Sequence, residues 1–244
     1  SIIDFSGIKV YDSKRVVIDG NCLNGCFFGI YFQYSSACTV RNNSLRSNAG
    51  EELLSGNGIH CWNCDSMMIE GNHISGHRDG IYFEFVKNSK INGNRSLGNL
   101  RYGLHFMFSN DDSYHANEFS RNGAGVAVMF SKRVAMMGNL FRQNWGDAAY
   151  GILLKEISDA KIELNTFEEN TCAVYMEGAS RIVMEKNLFN ANLAGANLTG
   201  AKLKNADLRF ANLEGAILTD ADAHGVNFHG ANLKGATLLR ADIH

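Results

Sequence analysis

His105 and Met107 stand two residues apart, and Met129 follows Met107 by 22. Residues two apart on a β-strand share a face. A repeat of that length places Met129 beside Met107 on the neighbouring strand, about 4.8 Å away. One imidazole with two thioethers is a soft donor set, better suited to Cu(I) than to Cu(II). Glu84 falls one rung before Met107 and would supply charge or support a ligand from behind. His60, further up the same pair of columns, is a secondary candidate ligand. The bland alternative is an ordinary solenoid face, since methionine and aromatic side chains also gather where a partner protein docks.

These columns exist because of a ladder in the sequence. Gly or Ala recurs at Gly7, Gly29, Gly58, Gly80, Gly103, Gly125, Gly151 and Ala173, and 14 residues after each comes Asn21, Asn43, Asn72, Asn94, Asn117, Asn139, Asn165 or Asn187. The Gly-to-Asn distance is constant while the start-to-start spacing runs 22, 29, 22, 23, 22, 26 and 22. Every insertion therefore falls in one turn, which is how a solenoid accommodates extra residues. The two insertions carry Glu51-Glu52 and Trp145-Gly146-Asp147. Trp145 is placed to anchor a partner or to fold over its own coil.

Polarity alternates after each glycine, as on a strand. Ile8, Ile30, Ile59, Ile81, Leu104, Val126, Ile152 and Val174 form one inward column, and Val10, Phe32, Cys61, Phe83, Phe106, Val128, Leu154 and Met176 the next. A second strand precedes each Asn, with Ile18, Val40, Ile69, Ile91, Tyr114, Met136, Ile162 and Met184 in register. A third follows it, with Leu23, Leu45, Ile74, Phe119, Phe141, Phe167 and Phe189. Three apolar strands per coil describe a right-handed parallel β-helix of eight long coils over residues 1–189. The Asn is expected in a tight turn, its amide bonded to its copy in the next coil.

From about Asn190 the period falls to five, with Leu193, Leu198, Leu203, Leu208, Leu213 and Leu218 two residues after Ala191, Ala196, Ala201, Ala206, Ala211 and Ala216. Ala206-Asp207-Leu208-Arg209-Phe210 and Ala231-Asn232-Leu233-Lys234-Gly235 resemble the pentapeptide-repeat family. That resemblance implies a right-handed quadrilateral β-helix, four units to a coil, over residues 190–244. Asn187 plus eight gives Gly195, the position at which a ninth long coil would start, so the second solenoid continues the phase of the first. Solenoid ends expose core and strand edges, and the short repeats are expected to cap the long ones. The in-phase join and the complete absence of proline predict an engineered fusion. No charged-then-apolar leader stands at Ser1, so an exported parent is expected to have lost its signal.

Gly76-His77-Arg78-Asp79-Gly80-Ile81-Tyr82-Phe83 and Leu100-Arg101-Tyr102-Gly103-Leu104-His105-Phe106-Met107-Phe108-Ser109-Asn110-Asp111 resemble the NosD family, periplasmic β-helical accessory proteins for copper-site assembly in nitrous oxide reductase. The resemblance runs from about Gly7 to Phe189. It implies copper handling without turnover, a periplasmic location for the parent, and a copper chaperone or the subunits of an ABC transporter as partners.

Other chemistry is poorly supported. Cys61-Trp62-Asn63-Cys64 lacks the partner pair or helix N-terminus that makes such a spacing useful, so a packed thiol is expected at Cys61, and the cysteines as a set, with Cys22, Cys26, Cys38 and Cys172, are read mostly as small buried or turn residues without disulfides. His73 and His77 belong to a strand and turn, and diverge. Asp111 and Asp112 are adjacent and point to opposite faces, whereas glycoside hydrolysis needs two carboxyls sharing a cleft. The segment from Ala191 balances its charges, which excludes DNA mimicry, and a formal net charge of -2 excludes general attraction to nucleic acid. No stretch is apolar enough to insert in a bilayer. The expectation is a monomeric, non-catalytic all-β solenoid that handles copper. Its rivals are a designed scaffold without activity and a β-helix that binds or cleaves polysaccharide.

Overall fold

The computed structural model describes residues 5–145, 149–190, 193–206, 208–209 and 211–243. Gly146 and Asp147 of the second insertion, together with Ser1, Ala191, Asp207, Phe210 and His244, lie outside the described residues. Three parallel eight-stranded sheets form the long-coil part, each coil giving one strand to each sheet. In the first coil these strands are Ser6–Tyr11, Val17–Asp19 and Cys22–Asn24; in the eighth they are Cys172–Glu177, Val183–Glu185 and Leu188–Asn190. The registers match the sequence columns, with Ile81 pairing Leu104 and Phe83 pairing Phe106.

The interior is one continuous apolar cluster that runs from Val10 to Ala221, with Leu233 and Leu238 packed against it. Phe141, Phe167 and Phe189 stack with centroids 4.9 and 4.8 Å apart. Tyr114 fills its column fully buried, its ring stacked on Phe106.

The glycine ladder is a steric requirement rather than a conformational one. A Cβ on Gly103 would lie 2.6 Å from the Gly125 carbonyl oxygen, 2.8 Å from Asn122 Nδ2 and 2.9 Å from Phe119. The asparagine ladder closes the facing corner. Asn94 donates from both its backbone N (2.9 Å) and Nδ2 (3.0 Å) to Asn117 Oδ1, and Asn117 does the same to Asn139. The chain of amides runs from Asn21 to Asn187. A second ladder, Asn99, Asn122, Asn144 and Asn170, turns the corner before the glycines.

Both insertions leave from one turn edge. The first holds the 3-10 turn Glu52–Leu54, and Trp145 in the second is exposed. Beyond Asn190 the bridges Asn197 to Ile217 and Lys202 to Asp222 recur every 20 residues, four units to a coil. Val183 bridges Lys202, and Met184 N donates to the Lys202 carbonyl at 2.6 Å, so the two repeat types share one hydrogen-bond ladder. All six cysteines are free thiols, with Cys38, Cys61 and Cys64 buried.

Candidate functional site

The candidate site is the outer face of the sheet that follows the glycines. Because both Gly103 and Leu104 face inward, Tyr102 is turned outward together with His105 and Met107. Three outer columns result where alternation predicts two. The first holds Asp79, Tyr102 and Ala124 in register. The second runs Tyr31, His60, Tyr82, His105 and Ala127, and the third Gln33, Trp62, Glu84, Met107, Met129 and Lys155.

Met107 and Met129 occupy adjacent rungs of the third column, both half-buried, with Glu84 on the rung before them. The Tyr82 hydroxyl lies 3.6 Å from Met107 Sδ as a donor. Burial, then the Glu84 charge, pushes that hydroxyl up to about 12, so it stays protonated.

His105 is on this face but not open to solvent: 4% of its surface is exposed. Its ring packs between Tyr82 and Tyr102, at centroid distances of 5.0 and 4.8 Å. Nδ1 is 3.6 Å from Asp79 Oδ2, and both ring nitrogens are buried with no hydrogen-bond partner. The expected outward column is thus roofed by the residues before the glycines, and the ring turns toward Asp79. Orphaned imidazole nitrogens on a face that also carries two thioethers in register match a soft metal in donor type. Among the described residues no group of three or more His, Cys, Asp or Glu gathers around a common point.

Asp79 is fully buried and receives Arg101 Nε at 2.9 Å and Nη2 at 2.6 Å. Burial raises its carboxyl, but His105 and Arg101 outweigh that and hold it below the usual carboxylate range. Arg101 also sits 4.9 Å over the Tyr102 ring. Asp79 and Tyr102 escape a reading by simple alternation, which carries the residue immediately before a glycine to the inner face. Their signal is that two consecutive residues, the glycine and its successor, both belong inside.

His60 lies between Tyr31 and Tyr82, with centroids 4.5 and 4.8 Å away. Burial, then Arg78, pushes its imidazole down to about 3, keeping it neutral. His73 is exposed and His77 buried, so that pair does diverge. Asp111 is exposed and paired with Arg133, whereas Asp112 is buried. Cys61 and Cys64 both face the core, where burial pushes the Cys61 thiol up and a hydrogen bond from the Cys61 thiol pulls Cys64 down.

Along the adjoining corner Phe85, Phe108 and Phe130 stack at 5.3 and 5.2 Å, each at least 40% exposed. All three adopt positive φ, of 55, 49 and 53°, where a bulky residue is strained. These exposed aromatics directly follow Glu84, Met107 and Met129.

The model of the family described as periplasmic copper-binding protein (NosD) matches residues 47–206, well over half of the chain. The chain belongs to the NosD family. A second model, that of pentapeptide repeats, matches 201–238 and 218–244. No curated protein sequence matches at a significant level. Solved structures similar to this NosD-family chain include pectate lyase Pel9A (TM-score 0.66, 11% identity, covering 83% of this chain and 57% of that one). PfbA, a surface adhesin of Streptococcus pneumoniae, gives 0.65 at 10% identity over 86% and 66%. An alginate lyase from Paenibacillus sp. str. FPU-7 gives 0.63 at 14% identity over 94% and 99%. At these identities the likeness is one of fold alone. The chain spans little more than half of Pel9A's length.

Proposed function

We propose that this chain is a non-catalytic periplasmic accessory protein that holds Cu(I) in transit during the assembly of a copper enzyme, with nitrous oxide reductase as the recipient system. The observation that carries this reading is the in-register pair Met107 and Met129 on the outer face, in a family described as copper-binding. Met107 and Met129 would supply two thioethers, and His105, on the same strand as Met107, would add an imidazole once its ring swings away from Asp79 and out from between Tyr82 and Tyr102. When bound, a copper ion here would be held weakly enough to pass on, because thioethers carry no charge. Glu84 would balance the ion's charge from the preceding rung. The stacked Phe85, Phe108 and Phe130 beside the methionines would seat a copper chaperone or a transporter subunit, exposed aromatic and methionine surface being typical of such contacts.

A Cu(I) competition titration under anaerobic reducing conditions tests this, comparing the native chain with the Met107→Leu/Met129→Leu double variant. Stoichiometric binding lost in the variant supports the reading. Equal, weak binding by both sinks it. The second reading, a fusion made as an inert scaffold, is favoured by the shared hydrogen-bond ladder across the join, and equal weak binding would leave it standing.

A further inference from the structure

We propose that the hollow lined by Tyr31, Gln33, His60, Trp62 and Glu84 binds a single pyranose sugar ring, independently of any metal. The hollow encloses about 280 Å³ on the same outer face, above the methionine pair.

The hydrogen-bonding capacity of its walls follows from one network. Arg78 Nη2 donates to Asn57 Oδ1 at 3.3 Å, which fixes the orientation of the Asn57 amide. Asn57 Nδ2 therefore faces His60 Nδ1, 3.0 Å away, and that nitrogen must accept. A neutral imidazole that accepts at Nδ1 carries its proton on Nε2. His60 thus presents an N–H donor and no lone pair, which makes it a poor metal ligand in this state and a good partner for a hydroxyl.

Trp62 stands in register between Gln33 and Glu84. The amide on one side and the carboxylate on the other are two rungs, or about 10 Å, apart. That span admits one six-membered ring against Trp62, whose indole is braced by Tyr34 at 4.9 Å, its hydroxyls reaching both flanks at about 2.8 Å. Tyr31, nearly buried and stacked on His60 at 4.5 Å, extends the apolar floor. The hollow offers an apolar floor and a rim of donors and acceptors, matching a ligand with one C–H face and a hydroxyl edge. No Lys or Arg lines it, so it does not suit a phosphate or a carboxylate. Its aromatic rings lie along one sheet face instead of surrounding a point, so it does not form the cage that an organic cation requires.

The experiment uses the full chain with Trp145→Phe, which leaves Trp62 as the sole tryptophan, since the chain has two. Glucose, galactose, mannose, N-acetylglucosamine and cellobiose are titrated while Trp62 emission is followed, with calorimetry in parallel. The expected result is a saturable change with at least one sugar, weakened about tenfold by Gln33→Ala, as one lost hydrogen bond would do, and with its calorimetric signal abolished by Trp62→Ala. Circular dichroism and thermal melting confirm that both variants fold. No saturable response in either readout overturns the proposal, as does saturation by tetramethylammonium alone. Repeating the titration in the Met107→Leu/Met129→Leu variant separates this site from the copper reading, because sugar binding should be unchanged there.

Discussion

Arg101 grips Asp79 with two parallel hydrogen bonds, of 2.9 and 2.6 Å, from the next coil of the solenoid. The carboxylate is fully buried while the guanidinium is partly open to solvent. Removing the arginine takes both close donors from a carboxylate that water cannot reach, leaving it only the more distant Arg78 Nε at 3.8 Å as a permanently charged partner. Arg101→Leu should therefore lose about 3–5 kcal/mol of stability, measured by urea unfolding. Asp79→Leu combined with Arg101→Leu should recover much of that loss; a double variant as unstable as the single would show that the pair is not the cause.

Gly103→Ala should cost about 2 kcal/mol or more, because the added methyl meets backbone oxygen and a packed ring with nowhere to move. Gly20→Ala gives a contrast, since its Cβ meets nothing within 4 Å but its φ is +70°. Its cost should be only about 1 kcal/mol, the ordinary penalty for a left-handed alanine. Chemical denaturation of both variants checks the order.

Asn117→Ala should destabilise by about 2–4 kcal/mol. The change removes the acceptor of two bonds from Asn94 and a donor to the Ile91 carbonyl, and each buried polar group left unpaired costs about 1–3 kcal/mol. Asn21→Ala, at the exposed start of the ladder, should cost well under half as much. Thermal melts of the two variants side by side would reveal the gradient.

Two buried groups oppose each other in pH dependence. Burial pushes Asp112 up to about 8 from 3.8, so the fold keeps it neutral and loses that stability as pH rises through this window. Burial pushes His77 down to about 4 from 6.5, so its contribution is present above 6.5 and is lost as pH falls toward 4. Each window has a slope of about 1.4 kcal/mol per pH unit. Asp112→Asn keeps the carbonyl that accepts the Ser89 N–H and should abolish a decline of about 2 kcal/mol between pH 6.5 and 8. Urea unfolding at several pH values reads this directly. An identical decline in the variant would place the titrating group elsewhere.

Almost all of the coil architecture was legible because every coil repeats the same demands. Gly80 and Gly103 mark the corner where only hydrogen fits, and Asn94 and Asn117 mark the facing turn. The site was legible in part. Met107 and Met129 lie on one column because period-two alternation holds after the glycine. Asp79 and Tyr102 were not legible as members of this face, because alternation breaks at the glycine, where two successive residues face inward. That break roofs His105, whose type and spacing alone suggested an open ligand. Phe85, Phe108 and Phe130 also went unread, since nothing in a strand pattern expects bulky rings at left-handed, exposed positions.

The most direct measurement is X-ray absorption at the copper edge of the Cu(I)-loaded chain, repeated on Met107→Leu/Met129→Leu. The prediction is a coordination shell with two thioether sulfurs and one imidazole nitrogen, whose sulfur scattering disappears in the double variant. A shell of nitrogen and oxygen alone, or thiolate sulfur unaffected by the substitutions, would contradict it.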